Sequence, residues 1–296
     1  MNPLHLGYLL AIVTTLAWGL VVIPVKKARS PGYLGVAISM PAGILALLPV
    51  LLLLKPADWM LSGMSWQTGL AIVLAGLCQF PLATLFYYEA IRRSEISTVA
   101  PLKCVKSIMV IGLVILLGIE AVTGHMIAAA LIGVMGAIIL TWSKRAEDTG
   151  PGGAGRYKGI VCALLACVFW SLGDILMRQA VREVNALLAT PLALLAGTVV
   201  FYGWLAVRRQ GHAVLAMPRR DKLCFVTHGI VSFAVGYCAF FTAMQYIGVT
   251  RAVIITSAWP IISFVVGLWL YREHLSVQKV LGLLMLVTSV YLVMAK

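Results

Sequence analysis

The chain has 296 residues, of which 61% are hydrophobic and 11% charged, and it carries a formal net charge of +13. This composition excludes an ordinary soluble domain, because too few polar side chains remain to cover a water-facing surface. The basic residues stand singly or in pairs and not in dense tracts, so the sequence gives no indication of nucleic-acid binding.

Apolar stretches of about 20 residues recur along the chain, each long enough to cross the roughly 30 Å hydrocarbon core of a bilayer as a helix. The first is not expected to be a removable signal peptide, because its copy recurs in mid-chain and no Lys or Arg precedes it. The sequence therefore predicts an all-α, multi-pass integral membrane protein with ten transmembrane helices. They are predicted at Gly7–Lys27, Leu34–Leu54, Thr68–Ile91, Ser97–Leu117, Met126–Trp142, Lys158–Val181, Ala186–Val207, Leu223–Ile247, Arg251–Tyr271 and Val277–Ala295.

The second half of the chain repeats the first. Trp18 corresponds to Trp170 at an offset of 152 residues, and Glu120 corresponds to Glu273 at an offset of 153. A Gly-rich tract separates the copies, so we expect a first five-helix repeat at 1–146, a connector at 147–157 and a second five-helix repeat at 158–296. An odd number of spans per copy inserts the copies with opposite orientation, and such inverted repeats build a substrate site near the bilayer midplane.

Lys and Arg are distributed unevenly between the two faces of the predicted bundle. The loops after the odd-numbered spans hold 16 of these residues, and the face that carries both termini holds 5. Because cytoplasmic loops are enriched in Lys and Arg, this count places both termini outside the cytoplasm.

Lys103 and Lys106 are the most deeply placed charges, in the first third of the fourth span. Their spacing of three puts both on one helical face, where the ammonium groups repel each other unless an anion lies nearby. Pro101 lacks a backbone donor and can open the start of the helix. These residues predict a pocket for a carboxylate or phosphate group. The alternative is that both lysines are neutralised within the protein, for example by Glu89, or extend toward the interface.

Three titratable residues, Glu89, Asp174 and His228, are candidates for ion coupling. Asp174 has no acidic counterpart in the first copy, which carries Val22 at that position, and it is either a proton-binding group or the partner of Arg178 in an i,i+4 ion pair. His228 titrates near neutrality in water, although a lone His in a span is more often a hydrogen-bonded packing residue.

Aromatic and amide side chains inside the spans predict the lining of a cavity. Trp18 and Trp170 occupy equivalent positions deep in their helices, away from the interfacial belt where Trp is usually found. The predicted substrate-binding residues are Lys103, Lys106, Trp18, Trp170, Tyr87, Tyr88, Trp259, Gln79 and Tyr237.

Two further patterns are expected to belong to the scaffold. Glu120 and Glu273 each precede a helix, whose N-terminus they are predicted to cap. Ala129, Gly133 and Ala137 form a stripe of small residues on which another helix can pack closely. The sequence shows no cluster with metal-ligand spacing, no nucleophile motif and no GxxxxGK[ST] loop, so no enzyme, metal, cofactor or ATP-driven pump is predicted.

This layout resembles the EamA type of the drug/metabolite transporter superfamily. The matching pieces are AWGLVVIPVKKA and FWSLGDILMRQA, YYEAIRRSEISTVAPL and FTAMQYIGVTRAVIITSAWPII, and GIEAVTG and YREHLSVQKVLGLLMLVTSVYLV, which together represent essentially the whole chain. The resemblance implies a helical basket around a cavity that opens alternately to each side, export or exchange of small metabolites, and cytoplasmic termini, opposite to the charge count. Lys103, Lys106 and Ser107 depart from the family pattern, which argues against a neutral substrate.

The function predicted from these features is secondary active transport of a small organic metabolite, anionic or zwitterionic, across the cell (inner) membrane. The expected partners are that substrate, a coupling ion that is either a proton or a counter-substrate, and membrane lipids, with the chain a monomer or homodimer. The alternative is a flippase for a lipid with an anionic head group, whose phosphate the same two lysines would hold.

Overall fold

The computed structural model describes residues 2–53, 64–93, 102–141, 153–271 and 276–295. Within these ranges the chain forms helices and no strand. In chain order they are α1 Pro3–Lys27, α2 Gly32–Leu53, α3 Trp66–Leu77, α4 Ala83–Arg93, α5 Lys106–Leu117, α6 Gly124–Thr141, α7 Gly153–Ala180, α8 Ala186–Val207, α9 Gly211–Leu215, α10 Arg219–His228, α11 Cys238–Thr256, α12 Trp259–Tyr271 and α13 Val277–Met294. The predicted features at Pro101 and Glu273 lie outside the described residues.

Seven of the described helical runs are long and apolar enough to cross a membrane: Pro3–Val25, Gly32–Leu53, Trp66–Arg93, Tyr157–Ala180, Ala186–Val207, Arg219–Thr256 and Val277–Met294. The shorter Gly124–Leu140 helix is also apolar. Large apolar side chains such as Leu52 and Leu116 are exposed on the outside of the bundle, as expected where lipid is the solvent. An all-α integral membrane protein is therefore confirmed, whereas the count of ten spans stays a prediction.

The run Arg219–Thr256 contains a break that separates the predicted eighth and ninth spans. Gly248 has φ 81° and ψ 163°, a conformation that residues with a Cβ rarely adopt. The predicted boundary between Ile247 and Arg251 therefore falls at the correct place, but the helices are joined through one glycine and not through a loop.

The third and eighth spans each contain a π-helical segment, at corresponding positions of the two copies. These segments are Cys78–Leu82, between α3 and α4, and Gly229–Tyr237, between α10 and α11. A π segment inserts an additional residue into the helical turn, changes the direction of the side chains that follow and is frequent at functional sites. Gln79 and Tyr237, two of the predicted binding residues, lie in these segments.

Two hydrogen bonds are related by the internal repeat. The Thr15 hydroxyl donates to the carbonyl oxygen of Ile255 over 3.3 Å, and the Cys167 thiol donates to that of Leu102 over 3.3 Å. Thr15 corresponds to Cys167 at the offset of 152, and Leu102 to Ile255 at the offset of 153. The first and sixth spans thus hold the ninth and fourth spans by equivalent contacts.

The small-residue stripe of α6 packs against α13, as predicted. The Ser289 hydroxyl donates to the Ala129 carbonyl oxygen over 2.6 Å, which requires a close approach of the two helices. A Cβ on Gly136 would lie 2.8 Å from Met285 Cβ, and one on Gly282 would lie 2.5 Å from the Leu140 nitrogen. Small residues on both helices therefore allow their backbones to touch.

Replacing Gly76 with Ala is expected to destabilise the protein by about 1–3 kcal/mol, because the new methyl group would meet the backbone carbonyl of Ala193, which cannot move aside as a flexible side chain would. Gly112→Ala is the matched control, since nothing lies within 4 Å of a Cβ at that position. Thermal unfolding of the detergent-purified variants measures the difference. Equal midpoints for the two would show that the α3–α8 contact is not close.

Candidate functional site

A buried ion pair joins the fourth and sixth spans near the centre of the bundle. The Lys106 ammonium nitrogen lies 2.8 Å from Asp174 Oδ2, and the two side chains are 6% and 0% exposed. Gln79 Nε2 donates to Asp174 Oδ1 over 2.5 Å. Burial of a charge is costly unless the charge is paired and hydrogen-bonded, so these three residues form one unit that connects α5, α7 and the first π segment.

The pair predicted between Asp174 and Arg178 within one helix is wrong. Asp174 is directed into the bundle toward Lys106, whereas Arg178, one turn further along α7, extends to Glu120 at the end of the fourth span. Glu89 does not neutralise either intramembrane lysine. It is 33% exposed and pairs with Arg92 and Arg93, three and four residues further along α4.

Lys103 is surrounded by aromatic rings. Its ammonium nitrogen lies 4.8 Å from the ring centroid of Trp259, 5.0 Å from Trp170, 5.1 Å from Tyr87 and 5.3 Å from Trp18. These four rings, which we call the aromatic cage, present their negative faces to the cation. No hydrogen bond or ion pair connects Lys103 to another described residue, so its charge has no acidic partner in this part of the chain.

Two glycines make room for this arrangement. A Cβ on Gly236 would lie 2.7 Å from Trp18 Nε1, and one on Gly173 would lie 2.6 Å from Gln79 Cγ. The Trp18 ring packs against that of Tyr237 with centroids 5.1 Å apart and an interplanar angle of 62°. The second π segment therefore supplies both the space for the Trp18 indole and the ring that orients it.

A small cavity of about 30 Å³ lies beside the cage. Its lining reaches Val25, near the end of α1, so the cavity extends from the centre toward the face that carries the loops after the odd-numbered spans. The lining residues are Trp18, Val21, Val25, Thr84, Tyr87, Lys103, Lys106, Trp170, His228, Ser232, Phe233 and Tyr237.

The structure brings most of the predicted binding residues together, in different roles. Gln79 holds Asp174, and Trp259 faces Lys103 from outside the cavity lining. The Tyr88 hydroxyl lies 3.1 Å from Nδ1 of His228, so this histidine lines the cavity and is also hydrogen-bonded. Ser232 was not predicted. Its equivalence to Gln79 at the offset of 153 is the signal that would have identified it.

The end of the bundle beyond the Lys106–Asp174 pair is closed by Glu120. Its Oε1 accepts from Arg178 Nε over 2.5 Å and from the Val249 backbone amide over 2.9 Å, and Arg178 Nη1 donates to the Met244 carbonyl oxygen over 2.7 Å. The predicted cap on the following helix is therefore corrected. Glu120 instead caps the helix that restarts after Gly248, whose extended backbone leaves the next amides without helical acceptors.

Further polar contacts tie helix ends together at this closed end. Arg182 Nη2 donates to the Ile119 carbonyl oxygen over 2.8 Å. Glu183 accepts from the hydroxyls of Thr68 over 2.6 Å and Ser65 over 2.9 Å, and these hydrogen bonds lower the pKa of its carboxyl group. The contacts join the start of the third span to the ends of the fourth and sixth.

Comparison with known proteins assigns the chain to a family of transporters. The model of the EamA-like transporter family matches residues 5–142 and again residues 157–295. An uncharacterized transporter of Clostridium kluyveri is 21% identical over 217 residues, which cover 73% of this chain and 69% of that protein. One of Archaeoglobus fulgidus is 21% identical over 229 residues, 77% of each. A solved structure, described only as a crystal structure of a protein, superimposes on this chain with a TM-score of 0.75 and 16% sequence identity. The match covers 97% of this chain and 95% of the other, and it supports the fold alone.

Replacing Arg178 with Gln is expected to destabilise the protein by about 2 kcal/mol, because Glu120 would lose its counter-charge in a site where the two side chains are only 16% and 14% exposed. Arg92→Gln, which breaks an exposed pair, is the matched control and should change stability by less than about 0.5 kcal/mol. Chemical or thermal unfolding of the purified variants compares them. Similar losses in both would mean that the closed end contributes no more than the surface pair.

Proposed function

Because the chain belongs to the EamA-like transporter family, we propose that it is a secondary carrier of a small anionic or zwitterionic metabolite that works by alternating access. The supporting observation is Lys103. Its ammonium lines the central cavity without an acidic partner among the described residues. A carboxylate or phosphate group of the substrate would supply the missing negative charge.

The two lysines have different roles in this proposal. Lys106 is balanced by Asp174, so Lys103 carries the net positive charge available to a substrate. While Asp174 is ionised, the site therefore offers one positive charge to a carboxylate or phosphate group. Lys acts as a point charge and imposes little geometry, so selectivity must come from the aromatic walls.

The rings of Trp18, Tyr87, Trp170 and Tyr237 provide those walls, with Ser232 as a polar group among them. A pocket of this composition suits a ligand with an apolar body and one charged end. The cavity of about 30 Å³ is far smaller than the ~300–1,000 Å³ typical of ligand sites. Substrate binding therefore requires the helices to separate on the cavity side, as alternating access demands.

Asp174 is the coupling group that we propose. Protonation of its carboxylate would remove the counter-charge of Lys106, and the site would then present two free ammonium groups to the substrate anion. Proton and anion would thus bind together and leave together, which is the requirement for symport. Glu89 is not part of this scheme, because it pairs with arginines at the surface.

Lys103→Gln is expected to weaken substrate binding about 10–100-fold, since a hydrogen bond to a charged group contributes about 1.5–3 kcal/mol. The substrate is first identified in a thermal-stability screen of the purified protein against carboxylates, amino acids and phosphorylated compounds, because a bound ligand stabilises the folded state. Counterflow of that compound in proteoliposomes then compares the variant with Lys222→Gln, whose exposed lysine donates to the Leu215 carbonyl oxygen.

Unchanged counterflow in Lys103→Gln would contradict the assignment of this lysine. Scrambling of a fluorescent anionic lipid by the same proteoliposomes, without uptake of any compound in the panel, would support the lipid flippase instead.

The double variant Asp174→Asn, Lys106→Gln is expected to keep counterflow of the substrate but to lose accumulation driven by an imposed proton gradient. Both residues are changed together because removal of Asp174 alone would leave Lys106 buried and unpaired. Glu89→Gln is the matched control and should retain gradient-driven uptake. The opposite result, with the control inactive and the double variant still coupled, would place coupling at Glu89.

A further inference from the structure

Three polar side chains that line the central cavity have hydrogen-bonding atoms without a partner in the described part of the chain. Ser232 is 5% exposed and Tyr87 8% exposed, and neither hydroxyl group makes a hydrogen bond to a described residue. His228 uses Nδ1 for its contact with the Tyr88 hydroxyl, whereas its Nε2 has no partner among the same residues. Buried polar groups are costly without partners, so at a cavity those partners are water or a ligand.

Ser232 differs in this respect from other hydroxyl residues of the helices. A helical Ser or Thr often satisfies its hydroxyl group by donating to the carbonyl oxygen four residues earlier. Ser171 donates in this way to Cys167 over 2.7 Å, and Thr242 donates to Cys238 over 2.7 Å. Ser232 lies in the second π segment and makes no such bond, so its hydroxyl group is available to a molecule in the cavity.

The charged side chains that line the cavity are all positive among the described residues. Lys103 and Lys106 belong to this lining, and no described Asp or Glu does. Asp174 is 0% exposed and is contacted by Lys106 and Gln79. An ammonium group on the substrate would therefore lie near two lysines without a carboxylate to pair with, and like charges brought together in this way repel each other.

The aromatic rings do not replace the missing carboxylate. Ring faces can bind an ammonium group, but the four rings of the aromatic cage already have their centroids between 4.8 and 5.3 Å from the Lys103 ammonium nitrogen. A second cation at these rings would be repelled by the first. The rings instead suit the apolar C–H surface of a substrate, and the polar groups between them suit its uncharged polar groups.

We propose that the substrate is an organic anion that carries hydroxyl groups and no amino group, a hydroxy acid in place of an amino acid. Its carboxylate or phosphate group would accept from Lys103. A hydroxyl group both donates and accepts, so it matches the hydroxyls of Ser232 and Tyr87 and either tautomer of His228. This inference rests on the proposed carrier function, whose substrate it narrows from an anion or a zwitterion to one class.

Matched pairs of ligands test this class on the detergent-purified full-length protein, without a transport step. In each pair a hydroxyl group replaces an amino group at the same carbon: lactate and alanine, glycerate and serine, phenyllactate and phenylalanine, and hydroxyethyl phosphate and phosphoethanolamine. The thermal unfolding midpoint is followed against ligand concentration, which gives a dissociation constant. We expect at least one hydroxylated member to bind, and to bind at least about tenfold more tightly than its amino partner.

Two conservative variants locate the groups that hold the hydroxyl. Ser232→Ala, and Tyr87→Phe, which keeps the ring of the cage, are each expected to weaken binding of the hydroxy acid about 3–10-fold, the effect of one lost hydrogen bond. Binding of propionate or phenylpropionate, which lack the hydroxyl group, should not change, whereas a merely structural role would weaken it equally. Thr227→Ala is the matched control, because its exposed hydroxyl donates to the Leu223 carbonyl oxygen over 2.9 Å within α10.

Equal or tighter binding by the amino member of a pair would overturn the proposal, as would failure of every hydroxylated member to bind, or unchanged hydroxy acid binding in both variants. Counterflow of an amino acid that depends on Lys103 would also overturn this substrate class, but it would leave the carrier function intact. Binding of a hydroxy acid without counterflow of that compound would contradict the carrier function and keep the binding preference.

Discussion

Two ammonium groups and one carboxylate meet inside a bundle whose outer surface is apolar, and this imbalance shapes the site. In lipid no water compensates a buried charge, so each must find its partner within the protein. Asp174 balances Lys106, and Gln79 occupies the second oxygen of the carboxylate. The ammonium group of Lys103 is instead surrounded by the four rings of the aromatic cage. The glycines at 173 and 236 leave room for Gln79 and Trp18 beside these charges, and the two π segments contain Gln79 and Tyr237.

The internal repeat provides a symmetric scaffold on which asymmetric chemistry is placed. Equivalent residues make the hydrogen bonds from the first and sixth spans, and both copies carry a π segment in the third span of the repeat. At the offset of 153, however, Lys103 corresponds to Thr256 and Lys106 to Trp259. Residues that are equivalent in the two copies thus form the scaffold of the cavity, and the residues that differ between the copies, Lys103 and Lys106, give it its positive charge. A Trp in one copy contributes a ring to the cage that holds a Lys of the other.

The sequence identified the charged and aromatic members of the site but not how they pair. Trp18 and Trp170 stood out because both copies place Trp deep in a span, and Lys103 and Lys106 because charges there are costly. The partner of Asp174 was misassigned, since the i,i+4 rule considers one helix and the true partner, Lys106, comes from another. The contact of Glu120 with Val249 depends on the break at Gly248, a tertiary feature that no local pattern reports.

The two interhelical ion pairs differ in exposure, and that difference separates their roles. The Lys106–Asp174 side chains are 6% and 0% exposed, so separating them would leave charges that no water can reach. The Arg178 and Glu120 side chains are 16% and 14% exposed at an end of the bundle, where water can replace each partner as the helices part. A transport cycle requires contacts that break and re-form at modest cost, together with a centre that stays intact. The outer pair suits the first requirement. The Lys106–Asp174 pair suits the second requirement as long as Asp174 is ionised. Protonation of Asp174 would remove its electrostatic attraction to Lys106.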